Sequence, residues 1–227
     1  MRVGHAQSVE SPRHRSLLYF KEAVEKKNGG KVIVEIYADG ELGDETEMTQ
    51  KVEDGELEAV RGGDLEYVPK TTMLGLPMIA DNIEQARKLC YSSFVAEMFS
   101  SAETDHNMKV LAVGDDSGFR QITNNVHPIT KPADMKGLRI RVPQSEVYMS
   151  TVEGWGCAPT AMSSSQVITG LANGTIEGFE SDPASITARG QQEGFQDPDG
   201  SRSKMHGGSE GDGEAFHRFA QFNQPKR

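Results

Sequence analysis

The sequence predicts an α/β fold with largely parallel or mixed sheets flanked by helices, because strand-like and helix-like segments alternate along its first 189 residues. The β-branched run KVIVEIY at 31–37 and the alternating run LRIRV at 138–142 are typical of strands. Apolar residues spaced three and four apart precede and separate these runs, and this spacing indicates amphipathic helices.

Helix starts are the clearest local signals. Serine is a good N-cap and proline favours the first helical position, so Ser11-Pro12 predicts the first helix. In a capping box, residues three apart bond to each other's backbone, and this pattern predicts helices at Asp44 with Glu47 and at Ser163 with Gln166. Helical spacing then predicts one helix over 83–99, and KVLAV at 109–113 predicts a buried strand.

Composition limits the classes of function. The net charge of −10 argues against nucleic-acid binding, which needs clustered cations. No run of 18 apolar residues exists, so we expect no membrane insertion. No apolar signal segment follows Met1, so either an export signal has been removed or the protein stays in the cytoplasm. Cys90 and Cys157 lie far apart, and we expect two buried free thiols.

The amino-acid composition changes at the end of the chain. Residues 190–227 contain no Leu, Ile or Val and are rich in Gly, Asp and Ser, so we expect this tail to be disordered. Phe216, Phe219 and Phe222 recur every three residues and allow a short terminal helix.

Several common catalytic signatures are absent. The six histidines and two cysteines show no HExxH or CxxC spacing, and GxGxxG and Walker A are missing as well. We therefore expect no metal and no cofactor, and this absence mildly favours a binding protein.

Arginines on strands are the notable polar feature. Arg139 and Arg141 share one face of the LRIRV strand, and Arg120 is also expected to follow a strand. Each arginine is compatible with a solvated surface or with an anion site at the carboxyl ends of strands. Glu180 and Asp182 allow an acid/base pair, although solvated or hydrogen-bonded carboxylates are far more common.

A series of motifs in fixed order resembles a known family. The stretches at 29–48, 74–81, 118–148 and 156–183 are similar to the solute-binding proteins of tripartite ATP-independent periplasmic (TRAP) transporters. The resemblance covers roughly residues 1–189, and the block from Arg120 to Val142 is its most specific part. The resemblance implies that family members continue well past the equivalent of Arg189, and we expect the tail here to be unrelated coding, as a frameshift or a misassembled gene would produce.

The resemblance implies a two-domain fold like that of periplasmic binding proteins, with the ligand in the cleft and closure by hinge motion. We expect domain I over 1–120, a partial domain II over 121–189, and the tail over 190–227.

The same resemblance implies the site residues. Arg141 is expected to pair with the ligand carboxylate, since guanidinium offers two parallel donors to two oxygens, and Arg120 is a second contact. Ser164 stands where many members have an aromatic cleft wall, and Glu180 and Asp182 are expected to accept hydrogen bonds from ligand hydroxyls. Two rim candidates complete the set: Arg61 and Glu66.

The implied function is a periplasmic receptor that delivers a small organic acid to the membrane subunits of a TRAP permease. A sugar acid suits one arginine with Glu180 and Asp182, while a dicarboxylate could use Arg120 as a second fork. Two alternatives stay open at this point. One is a non-functional or repurposed fragment of such a receptor, and the other is an enzyme that uses the acidic residues near Glu180.

Overall fold

Two β-sheets organise the computed structural model, and the residues it describes are 1–62, 68–113, 119–182, 185–186 and 206–207. The strands of one sheet lie within the first 60 residues, and those of the other begin at Gln121. The predicted α/β class is confirmed, with one parallel and one mixed sheet. The domain boundaries at 120 and 189 stay predictions.

The first sheet has three parallel strands in the order β2-β1-β3. Its strands and the helices that connect them are β1 Arg2–Gly4, α1 Pro12–Lys27, β2 Glu35–Tyr37, α2 Glu45–Glu53 and β3 Ala59–Val60. The strand predicted over 31–37 is shorter than expected, because β1 offers only three residues for pairing with it.

The predicted helix starts in this part of the chain are confirmed. Ser11 Oγ accepts a hydrogen bond of 3.1 Å from the backbone N–H of His14, and Pro12 is the first helical residue. Asp44 and Glu47 form the expected capping box, with both hydrogen bonds at 2.9 Å. These caps satisfy N–H groups that a helix leaves unpaired, so the start of each helix follows from a few adjacent residues.

The middle of the chain departs from the sequence prediction twice. The single helix expected over 83–99 is two helices, α3 Ile83–Cys90 and α4 Ser93–His106, because Ser92 caps a new start by accepting from Val95 N–H. The strand predicted over 109–113 is wrong, and Leu111 is 68% exposed. No described strand lies beside this segment, and without a partner the backbone has no ladder to join. A 3-10 helix over Pro69–Gly75 precedes α3.

The second sheet has five strands in the order β6-β5-β7-β4-β8. The strand β5 runs parallel to β6 and β7, whereas β4 runs antiparallel to β7 and β8. The strands and helices of this part are β4 Gln121–Asn124, β5 Arg139–Val142, α5 Glu146–Gly154, β6 Ala158–Ala161, α6 Val167–Ala172, β7 Gly178–Ser181 and β8 His206–Gly207. Two 3-10 turns are Pro132–Met135 and Ser164–Gln166.

One short part of the tail is described. His206–Gly207 forms β8, which pairs with Thr123 and Asn124 of β4, so the prediction of disorder is wrong for these two residues. Backbone hydrogen bonds to a strand edge need no aliphatic side chain, which explains how a Gly-rich segment pairs there. The rest of 190–227, including Phe216, Phe219 and Phe222, lies outside the described residues.

Apolar residues pack on both faces of the second sheet. One cluster joins Ile140 and Val142 of β5 to Val152 of α5, and another joins Phe179 of β7 to Leu171 of α6. Central strands covered on both faces are rigid, so the ends of these strands are well placed to hold functional side chains. Among the described residues, no helix has the length and apolar character needed to cross a membrane.

Gly178 is fixed by the pairing of β7 with β4. A Cβ at this position would lie 2.1 Å from the carbonyl oxygen of Thr123, so backbone would have to move. We expect Gly178→Ala to lower the free energy of unfolding by about 1–3 kcal/mol, the usual cost of overpacking. Urea unfolding followed by circular dichroism measures this. Gly154→Ala is the control, because nothing lies within 4 Å of a Cβ there, and equal stability of the two variants would contradict the expectation.

Both cysteines are free thiols, as predicted, although Cys90 is only half-buried. Burial raises the pKa of Cys157 to about 11, so its thiol is neutral at pH 8. We expect iodoacetamide at pH 8 to alkylate Cys90 well before Cys157, with equal labelling once urea unfolds the chain. Peptide mass spectrometry reads out both sites, and equal native labelling would contradict the burial of Cys157.

Candidate functional site

A cavity of about 230 Å³ lies at the carboxyl ends of strands from both sheets. In the second sheet, β5, β6 and β7 run parallel, so the residues that follow them meet at one edge. In the first sheet, Ala6 and Gln7 follow β1. The residues that line the cavity are Ala6, Gln7, Arg13, Glu45, Thr46, Arg120, Arg141, Pro143, Gln144, Ser145, Tyr148, Met162, Ser163, Ser164, Ser181 and Asp182.

Arg141 lies near the end of β5, with β6 and β7 on either side of it. Its side chain is buried, and its Nε–H donates a hydrogen bond of 2.8 Å to the carbonyl oxygen of Met162. Fixing Nε sets the plane of the guanidinium group and therefore the direction of its other donors.

Arg139 shows the other outcome for the same strand. The two arginines share a face by the strand period, but Arg139 lies at the opposite end of β5 and is half exposed. It pairs with Glu177 at 3.2 Å and donates to Gly174 O at 3.0 Å. Arg139 therefore lies on the solvated surface, whereas Arg141 is buried in the cavity wall.

Arg120 reaches the same edge by a different route from the expected one. It was predicted to follow a strand, but it directly precedes β4. Because β4 is antiparallel to β7, Gln121 pairs with Ser181 at the carboxyl end of β7. The start of β4 therefore lies beside the ends of the parallel strands, and Arg120 joins the cavity wall.

Glu180 binds Arg120 rather than lining the cavity. Its carboxylate accepts from both Nε and Nη2 of Arg120, the latter at 2.8 Å, and Nη2 also lies 3.3 Å from Glu180 O. The guanidinium carbon of Arg120 lies 5.0 Å from the centre of the Tyr148 ring. Burial opposes the Arg120 charge, but the Glu180 carboxylate outweighs it and raises the pKa of Arg120 above its ordinary value. Burial also raises the pKa of Tyr148.

A second arginine–glutamate pair lies on the opposite wall of the cavity, and the sequence did not predict it. Arg13, in the first turn of α1, forms a salt bridge with Glu45, the first residue of α2. Arg13 is buried, and its Nη1 is 3.5 Å from Arg61 O. The capping box marks Glu45 as a helix-start residue, but no local signal links it to a side chain 32 positions earlier.

The remaining predicted residues divide into those that line the cavity and those that do not. Asp182 lines the cavity and is buried, and its Oδ1 accepts a hydrogen bond of 2.8 Å from the backbone N–H of Ser185. Ser164 also lines it, beside Ser163. Arg61 is not among the lining residues: its backbone N–H pairs with Gly4 O and its Nη1 with Gly62 O. Glu66 lies outside the described residues.

Comparison with known proteins identifies the family. The profile "DctP: Bacterial extracellular solute-binding protein, family 7" matches residues 3–196. The chain belongs to this family. Its members and structural neighbours are solute-binding proteins and not enzymes. The resemblance inferred from the motifs is therefore confirmed.

Individual family 7 relatives are similar over most of this chain. A solute-binding protein of Verminephrobacter eiseniae is 29% identical over 189 residues, which are 82% of this chain and 56% of the relative. A TRAP periplasmic solute-binding protein from Bordetella bronchispeptica has a TM-score of 0.80 at 30% identity, over 85% of this chain and 64% of its own. A TRAP protein from Haemophilus influenzae with bound L-gulonate has a TM-score of 0.79 at 28% identity, over 86% and 64%. The chain spans little more than half the length of the curated relatives it matches.

Both acidic residues considered for catalysis have partners in the structure. Glu180 is held by Arg120, and Asp182 accepts a hydrogen bond from the backbone N–H of Ser185. The alternative of an enzyme acting near Glu180 is contradicted by the family, because its members are solute-binding proteins and not enzymes.

Helix ends add a favourable field for an anion. Residues from the first turns of α1 and α2, and Ser145 at the start of α5, all line the cavity. The N-terminus of a helix carries partial positive charge, so three of them around one cavity favour a negatively charged group.

Proposed function

We propose that this protein is a TRAP-type receptor that binds a small organic acid through a salt bridge between Arg141 and the ligand carboxylate. The observation that carries the proposal is the position of Arg141, which is buried in the cavity wall at the carboxyl edge of the sheet. An arginine there, with its Nε fixed by Met162 O, presents the rest of its fork in a defined direction.

Family membership supports the class of ligand. The Haemophilus influenzae relative holds L-gulonate, a hydroxylated monocarboxylate. In this chain Ser163, Ser164 and Asp182 line the same cavity as Arg141, and hydroxyl and carboxylate side chains are suited to the hydroxyl groups of a sugar acid. We infer that the protein works in the periplasm and delivers this ligand to the membrane subunits of a TRAP permease.

The receptor function is tested by ligand-dependent stabilisation. A ligand that binds only the native state raises the melting temperature by mass action, so we expect a sugar acid such as L-gulonate to do so. The screen uses aldonates, uronates, dicarboxylates and keto acids. A broad melting transition that responds to none of them contradicts the receptor function and favours the alternative of an inactive fragment.

The role of Arg141 is tested by Arg141→Ala with Arg139→Ala as the matched control. Loss of one partner of a desolvated charge pair costs about 2–5 kcal/mol. Each ~1.4 kcal/mol is tenfold in affinity. We therefore expect Arg141→Ala to weaken binding of the best ligand at least tenfold in isothermal titration calorimetry. The control changes the same residue type on the same strand outside the cavity, and its affinity should stay within twofold. Unchanged binding by Arg141→Ala would overturn the assignment.

A further inference from the structure

The charges around the cavity show a pattern that no local motif predicts. Three arginines contribute to its wall: Arg13, Arg120 and Arg141. Three cations in so small a cavity would favour ligands with more than one carboxylate. Two of them, however, are tied to a glutamate of their own.

On the wall formed by the second sheet, Glu180 compensates Arg120. The pair is bidentate, and the Glu180 side chain is only 7% exposed. Within the described residues, the Nη1 group of Arg120 donates no hydrogen bond, so it is available to a ligand. A guanidinium group already paired with a carboxylate suits a hydroxyl or carbonyl oxygen better than a second anion.

On the opposite wall, Glu45 compensates Arg13. The Arg13 side chain is 7% exposed and the Glu45 side chain 26%, so this pair is also largely shielded from water. Asp182 adds a further buried carboxylate to the lining. Among the described residues of the wall, together with Glu180 behind it, three cationic side chains therefore face three carboxylates.

We infer that the cavity selects monocarboxylates over dicarboxylates because Glu45 and Glu180 neutralise two of its three arginines. This inference rests on the proposed function. A single ligand carboxylate at Arg141 adds one negative charge to a balanced site that three helix N-termini stabilise. A second carboxylate would have to be buried beside Glu45, Glu180 or Asp182 without a cation of its own, and burying an uncompensated charge is costly.

The test uses ligands that differ only in the second carboxylate. L-gulonate and D-glucarate share a carbon skeleton and stereochemistry, and D-glucarate has a carboxylate in place of the terminal hydroxymethyl group. D-erythronate and meso-tartrate form a shorter pair of the same kind. We expect the wild-type protein to bind the monocarboxylate of at least one pair with at least tenfold lower Kd than its dicarboxylate, measured by isothermal titration calorimetry.

Neutralising either glutamate should relax this preference. We expect Glu180→Gln and Glu45→Gln each to lower the ratio of dicarboxylate Kd to monocarboxylate Kd about tenfold, mainly by improving dicarboxylate binding. Two variants on opposite walls keep the test decisive where one fails to fold, as judged by circular dichroism. Glu177→Gln is the matched control, because it removes the partner of Arg139 outside the cavity and should leave the ratio unchanged.

The outcomes separate this inference from the proposed function. Tighter or equal binding of the dicarboxylates by the wild-type protein overturns the selectivity while leaving the receptor function standing. A ratio that neither cavity variant changes overturns the role of the glutamates. Failure of the wild-type protein to bind any member of either pair, or any acid in the stabilisation screen, overturns both.

Discussion

The parallel pairing of β7 with β5 is the constraint on which the site depends. It sets Phe179 opposite Arg141, and the antiparallel pairing of β7 with β4 sets Ile122 opposite Glu180. Because successive residues of a strand point to opposite faces, Arg141 belongs to the face covered by α6 and Glu180 to the face covered by α5. Side chains from the two faces can meet only at the edge of the sheet, where the cavity lies.

The same strand therefore links the core to the charge balance. Gly178 allows the close approach of β4, Phe179 is fully buried, and Glu180 holds Arg120. A buried ion pair is weak evidence for stability, because the cost of removing both charges from water offsets their attraction. Its position at the cavity is consistent with a role in ligand choice, which an apolar replacement of similar volume would lose.

What the sequence predicts well is local. The N-cap at Ser11 and the capping box at Asp44 involve residues three apart. The alternating LRIRV pattern alone left a solvated surface and an anion site both open for its arginines, and it was the family resemblance that singled out Arg141. The strand expected over 109–113 fails because a strand is defined by its neighbour, which pattern alone does not supply. The sequence also does not reveal that β4 runs antiparallel to β7. Arg120 was therefore expected near the site because it would follow a strand, whereas it precedes one. Its pairing with Glu180 joins residues 60 positions apart and needs the fold.

The two compensated arginines also bear on how the walls can approach each other. Arg13 and Glu45 come from helices beside the first sheet, whereas Glu180 lies in β7 of the second sheet and Arg120 directly precedes β4. Without the glutamates, guanidinium groups from both sides would line one cavity of about 230 Å³ without a counter-charge and repel one another. With them, each wall is close to neutral at these positions. The ligand then does not have to overcome repulsion between the walls, and under the proposed function its carboxylate would pair with Arg141 instead of serving as a general counter-ion for the cavity.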